Sequence, residues 1–236
     1  MTRGLTLLLL IGLLLLGGWF FFRSPHLPEP DLARSAGLRT ALLGGQKVTI
    51  VALGDSITAG SNAPFSFLDR LGQALRTRYP NARLELVNSG ASGDTAEGGS
   101  RRLQSDALRH DPDLVFVEFG WNDLRQGHSE SRFEKALSEI VDGLRRESRA
   151  SVYLMTTTYV DVPGSAWQIR SRNKIIRRIA TTKDCGLVDL DLHFKVALKK
   201  GVTIRELMSE DRIHPSAKGQ ELIANAVLRE LLGESN

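Results

Sequence analysis

The sequence predicts one doubly wound α/β domain built on a five-stranded parallel sheet. Three observations predict it. Short apolar runs of strand length recur after residue 47, at 48–53, 84–87, 114–119, 152–157 and 187–190. Stretches with helical apolar spacing lie between them, and strands that alternate with helices form a parallel sheet covered on both faces. The run at 48–53 is apolar apart from Thr49, as expected of a strand buried on both sides.

The elements follow in order. Residues 5–22 carry no charge. As a helix they would reach about 27 Å, close to the ~30 Å bilayer core. Trp19, Phe20, Phe21 and Phe22 close the run, where an interfacial aromatic belt would sit. A cleaved signal peptide has a shorter apolar region and small residues at its cleavage site. The nearest such triplet, Ala33-Arg34-Ser35, lies well past the run. Residues 1–22 are therefore expected to form an uncleaved transmembrane helix. Secretion after signal cleavage is the alternative.

Arg3 precedes the run, and Arg23, Arg34 and Arg39 follow it, a balance that does not favour export. A short basic tail before an apolar run reads as an export signal all the same. The expected location is the bacterial cytoplasmic membrane, with the domain on its outer side.

Residues 23–46 read as a linker, because Pro25, Pro28 and Pro30 oppose a regular helix. The folded domain is expected over 47–236. Phe67, Leu71 and Leu75 mark its first long helix, and Phe133, Leu137, Ile140, Val141 and Leu144 another. Ile169, Ile175, Ile176 and Ile179 lie in a helix rich in basic residues. Its Arg170, Arg172, Lys174, Arg177, Arg178 and Lys183 read as a solvated face. Beside a membrane, that face would attract anionic head groups. Ile223, Val227 and Leu231 mark the last helix.

Composition removes several function classes. One cysteine among 236 residues excludes a disulfide scaffold and a cysteine-based zinc cluster. A formal net charge of +4 is too weak to argue for a nucleic-acid partner. No Gly-x-Ser-x-Gly, P-loop, Gly-x-Gly-x-x-Gly or His-Glu-x-x-His pattern occurs.

Sites in open α/β sheets form beyond the carboxyl ends of the strands. The segments there are Gly54-Asp55-Ser56-Ile57-Thr58-Ala59-Gly60, Asn88-Ser89-Gly90-Ala91-Ser92-Gly93-Asp94 and Gly120-Trp121-Asn122-Asp123. After strand five and one further helix comes Asp211-Arg212-Ile213-His214-Pro215. Together they hold the parts of acyl transfer. A serine attacks when a base takes its proton. A histidine suits that task, and a carboxylate fixes its tautomer. Ser56, His214 and Asp211 are the candidates. The oxyanion needs aimed donors; those available are the N–H of Ser56, the N–H of Gly93 and the amide of Asn122.

These blocks resemble the SGNH (GDSL-type) hydrolase family. Gly54-Asp55-Ser56 matches its first block, Gly93 its second, Gly120-x-Asn122-Asp123 its third and Asp211-x-x-His214-Pro215 its last. The resemblance covers about residues 47–236 and is closest to the bacterial arylesterase, thioesterase and lysophospholipase branch. It implies a flavodoxin-like three-layer α/β/α sandwich and a serine esterase that forms an acyl-enzyme without cofactor or metal. Small acyl esters, thioesters or lipids are the implied substrates. Trp121 stands where that branch often has glycine, and a ring there would narrow the acyl pocket. Two other readings compete: a cell-envelope polysaccharide O-acetylesterase or O-acyltransferase, and a non-catalytic binding module on the same fold.

Plainer roles stand beside the sharp ones. Ser56 reads equally as a helix N-cap, and Asn122 as an Asx-turn residue beside Asp123. Gly90 and Gly93 supply backbone freedom. Asp55 and Asp94 are expected to hold loops. His26 falls in the linker, His128 in a loop, and His193 after strand five. His110 with Asp111 and Asp113 faintly suggests a metal cluster, but turn capping suits its place before strand three. Cys185 precedes strand five and reads as a small buried apolar residue.

Overall fold

The computed structural model describes residues 25–233. The apolar run at 5–22, read above as a membrane helix, lies outside the described residues. Among the described residues no helix is long and apolar enough to cross a membrane.

Five strands form the sheet: β1 (Lys47–Gly54), β2 (Arg83–Gly90), β3 (Leu114–Glu118), β4 (Ser151–Met155) and β5 (Gly186–Val188). Their order is β2-β1-β3-β4-β5 and every pairing is parallel. The chain reverses its direction of strand addition between β1 and β3, where such sheets open a crevice.

The strand register explains both the core and the site. Val48, Ile50 and Ala52 of β1 join Leu114 and Phe116 of β3 and Tyr153 and Met155 of β4 in one buried cluster. Val51, Leu53, Val115, Val117, Val152 and Leu154 belong to the cluster on the opposite face. Alternate residues of a strand face opposite ways, so both halves of each strand must be apolar. At the carboxyl end, Gly54 pairs with Gly90 and Glu118, Glu118 with Met155, and Met155 with Val188. The strands thus end level, and the loops that follow share one edge.

The helices are α1 (Ala36–Leu43), α2 (Ser56–Ala59), α3 (Phe67–Arg78), α4 (Ala96–Arg101), α5 (Leu103–Asp106), α6 (Trp121–Arg125), α7 (Glu130–Glu147), α8 (Ala166–Thr182), α9 (Leu190–Lys199), α10 (Ile204–Leu207) and α11 (Ala217–Leu232). Local signals start the long ones. Ser66 and Asp69 form a reciprocal capping box on α3. The hydroxyls of Ser129 and Ser216 cap α7 and α11. α3 and α11 pack on one face of the sheet, and α7 and α8 on the other.

Three expectations need correction. Part of the stretch read as a linker is folded, because the prolines all precede α1 and leave its backbone free to bond. Leu42 of α1 is buried in the core, and the Ser35 hydroxyl donates to the Leu231 carbonyl at 2.7 Å. The basic helix α8 is not simply a solvated face. Arg172 is buried and lies over the Phe133 ring, and Arg177 pairs with Asp189 and Asp191. Arginine stems pack against apolar surface while their heads bond, which a count of charges does not reveal. Finally, two helices, α9 and α10, separate β5 from the Asp211–His214 turn.

Candidate active site

The residues that follow each strand converge. α2 begins directly after β1, and Asp55 caps it by accepting the Ile57 N–H at 2.9 Å. The N-cap role considered for Ser56 therefore falls to its neighbour. The Ser56 hydroxyl instead lies 2.8 Å from Nε2 of His214.

His214 sits in a turn closed by the Ser209 N–H donating to its carbonyl at 2.8 Å. A bridge between Met208 and Pro215 fastens the base of the turn. Arg212 inside it adopts φ +63°. This folds the Asp211 carboxylate back over the turn. Its Oδ1 accepts the N–H groups of Ile213 and His214 at 2.9 and 3.0 Å, and the Ser209 hydroxyl at 3.0 Å. Its Oδ2 lies 2.5 Å from His214 Nδ1 and accepts from Asn62 Nδ2 at 2.7 Å. Burial works against the charge of Asp211, but these donors outweigh it and hold its carboxyl below the usual range.

Gly93 and Asn122 flank the same cleft. Gly93 adopts φ +80°, and a Cβ there would meet nothing within 4 Å, so its amide stands in an open, left-handed turn. Gln126 Nε2 donates to the Gly93 carbonyl at 2.9 Å and fastens this loop to the end of α6. Asn122 Nδ2 donates to Asp55 Oδ2 at 3.1 Å. A primary amide has two hydrogens, and this bond uses one of them. Asp123, beside it, accepts the Ala96 N–H and faces His128 Nδ1 at 3.3 Å. His128 is thus buried in a structural pair.

The cleft measures about 550 Å³ and is lined by Ser56, Gly93, Trp121, Asn122, Arg125 and His214, among others. Trp121 is largely buried against Val160 and Ile169, with Ile213 beside it. Behind Ser56 lies a buried carboxyl pair, Asp55 and Glu118. Burial pushes Asp55 up to about 6. Burial and then the neighbouring Asp55 charge raise Glu118 well above the ordinary range.

Several residues of this site were not anticipated. Asn62 and Ser209 reach Asp211 from loops with no motif. Glu118 reads in the sequence only as the end of an apolar strand. Gln220 is buried; it accepts the Phe67 N–H at 2.8 Å and donates to the Ile57 carbonyl at 3.0 Å, which joins α11 to α2. Gln220 lies one turn inside a helix that follows His214-Pro215, a signal visible only once that helix is known to pack on α2. Other candidates stay outside. His193 and Cys185 are buried away from the cleft. Asp113 accepts the Thr49 N–H of β1 at 2.8 Å, and among the described residues no group of side chains could hold a metal ion.

A Ser–His–Asp hydrogen-bonded chain beside an open glycine turn and a primary amide is equipped for acyl transfer. Comparison with known proteins agrees. Residues 52–222 match the model of the GDSL-like Lipase/Acylhydrolase family. An arylesterase from Vibrio mimicus is 28% identical over 189 residues, which cover 78% of this chain and 88% of the relative. Thioesterase 1/protease 1/lysophospholipase L1 of Escherichia coli K12 is 28% identical over 183 residues, covering 78% of this chain and 83% of that protein. An acetyl xylan esterase structure from Geobacillus stearothermophilus shares the fold, with a TM-score of 0.71 at 24% identity, over 80% of this chain and 96% of that one. The chain belongs to the GDSL-like lipase/acylhydrolase family and is a carboxylic ester hydrolase.

Proposed function

We propose that the chain is a serine esterase that works through an acyl-enzyme at Ser56. One observation carries this reading: the unbroken hydrogen-bonded chain from Ser56 through His214 to Asp211, opening on the Gly93–Asn122 cleft. Ser56 Oγ attacks the ester carbonyl carbon while His214 Nε2 takes the hydroxyl proton. The carbonyl electron pair moves to oxygen. That oxyanion is met by the N–H groups of Ser56 and Gly93 and by the second hydrogen of Asn122 Nδ2. The bond to the alcohol or thiol breaks, and the leaving group takes the proton from His214. Water then adds to the acyl carbonyl carbon and gives a proton to His214; the bond to Ser56 Oγ breaks, Oγ takes that proton back from His214, and the carboxylic acid leaves. Asp211 holds the imidazole in the tautomer that presents a bare Nε2 to the serine.

The test is hydrolysis of a graded series of p-nitrophenyl esters by the full chain and by Ser56→Ala. The substitution is expected to remove at least about a thousandfold of the rate. Activity that survives it disproves the assignment. Trp121 and Ile213 form one wall of the cleft, which supports short acyl chains over long ones.

A second reading concerns the natural ester. The segment after the apolar run enters the domain at the amino edge of the sheet. Arg229 near the end of α11 bonds the Pro28 carbonyl there, and Arg34 pairs with Asp184 before β5. The candidate site occupies the opposite, carboxyl edge. If residues 5–22 anchor the chain in the cytoplasmic membrane, the anchor joins the domain at the edge opposite the cleft. This arrangement favours an O-acetyl ester of an envelope polysaccharide, cleaved or transferred, over a lipid of the anchoring membrane. Release of acetate from acetylated glycan, measured beside release of fatty acid from lysophospholipid, separates the two.

A further inference from the structure

We propose that Arg125 recognises a negative charge on the substrate, so that the cleft prefers anionic esters. The proposal rests on the esterase reading and names its substrate class. Arg125 lines the same cleft as Ser56 and His214. It lies one helical turn beyond Asn122 on α6, and residues three apart on a helix are neighbours on one face. A group bound by its guanidinium is therefore within a side chain of the position assigned to the oxyanion. The guanidinium lies 6.0 Å from the centroid of the Trp121 ring, four residues back on that helix. The ring packs against the arginine, and both side chains line the cleft.

The charge has no internal counterpart. Nearby arginines are engaged: Arg101 and Arg132 with Glu97, Arg102 with Asp94 and Asp106, and Arg212 with Asp161. Arg125 has no carboxylate partner among the described residues, and no carboxylate lines the cleft. Asp211, the nearest acid of the catalytic group, is spent on His214 and its own turn. A concave site whose only permanent side-chain charge is a guanidinium concentrates anions. The fork of an arginine pairs with a carboxylate or a phosphate through two parallel bonds.

The experiment compares matched esters on the full chain. 4-Acetoxybenzoate carries a carboxylate, 4-acetoxyphenyl phosphate a phosphate, and methyl 4-acetoxybenzoate no charge. p-Nitrophenyl hydrogen succinate, beside p-nitrophenyl butyrate, places the charge on the acyl side. Arg125→Glu is expected to lower kcat/KM for the preferred anionic ester by about tenfold or more relative to its neutral match. Arg125→Lys keeps most of the preference, and added salt shrinks it in the wild type. An anionic-to-neutral ratio that moves less than about twofold in Arg125→Glu, for every pair, overturns the proposal. Calorimetric binding of 4-hydroxybenzoate and 4-hydroxyphenyl phosphate provides a readout independent of turnover. If the wild type cleaves no ester, the esterase reading fails. Even then, weaker binding to Arg125→Glu supports the anion site, and equal binding removes it.

Discussion

Asn62 and Asp211 meet across the mouth of the cleft, with Asn62 Nδ2 donating to Asp211 Oδ2 at 2.7 Å. The same carboxylate oxygen faces His214 Nδ1. The carboxylate bonded to the histidine is thus itself held by the loop after Ser56. Asn62 holds this place at φ +65°, a left-handed conformation that asparagine tolerates better than most residues.

That relationship ranks two substitutions. Asp211→Asn disturbs the His214 tautomer and is expected to cost about a thousandfold or more in kcat. Asn62→Ala removes one bond to a charged acceptor and should cost about tenfold in kcat with little change in KM. Steady-state kinetics on a short aryl ester check both. An Asn62→Ala enzyme as impaired as Asp211→Asn would show that Asn62 does more than steady the acid.

The carboxyl pair beneath Ser56 sets a pH dependence of stability. Burial raises Asp55 to about 6 and Glu118 well above its ordinary range. In the unfolded chain both titrate near ~4. The folded form therefore binds more protons above that value. The stability this lends is complete below pH ~4 and is lost as pH rises through about 6 and beyond. Glu118→Gln cannot ionise and should flatten the decline in Tm between pH about 5 and about 8. A thermal-melting series in which this variant declines as steeply as wild type contradicts the account.

Arg102 joins the ends of two strands that carry the site to two carboxylates. Its guanidinium donates to Asp94 at 2.7 Å, to the Ser89 carbonyl at 2.7 Å, to Asp106 at 2.9 Å and to the Gly54 carbonyl at 2.8 Å. Arg102→Ala removes all four bonds and leaves Asp94 and Asp106 without their cation, and is expected to cost about 3 kcal/mol. Arg102→Lys recovers only part, because an ammonium cannot reach the same set. Chemical denaturation measures the difference.

Two glycines separate packing from conformation. A Cβ at Gly90 would lie 2.2 Å from the Ala59 amide nitrogen, so Gly90→Ala must displace α2. A loss of about 2 kcal/mol in stability is expected, with a fall in activity. Gly93→Ala meets no atom but must hold φ +80°. It should cost about 1 kcal/mol in stability, with a larger effect on kcat than on KM if the amide serves the transition state as proposed. Denaturant midpoints and kinetics on the two variants distinguish these outcomes.

The strands were legible because two-sided burial writes itself as continuous apolar runs, as in β1 and β3. The convergence of the Gly54-Asp55-Ser56, Asn122 and Asp211-x-x-His214 blocks was legible because the chemistry proposed for them needs particular residue types at strand ends. Asn62, Glu118, Gln220 and Arg102 were not. Each acts through one partner far along the chain, and a single polar residue in a loop or helix carries no period. The helix at 36–43 escaped for a related reason: upstream prolines mark where a helix cannot be, not where the next begins.

By itself the sequence determined the alternation of strands and helices, the apolar faces they bury, and the kinds of side chain at the carboxyl edge. Those follow from local periodicity and from residue chemistry. Tertiary structure alone decided that Asp55 rather than Ser56 caps α2, that Asn62 bonds Asp211, and that Arg125 lines the cleft without a carboxylate partner among the described residues. These are matters of distance between remote segments, and distance is set only when burial and hydrogen bonding bring the whole chain to one arrangement.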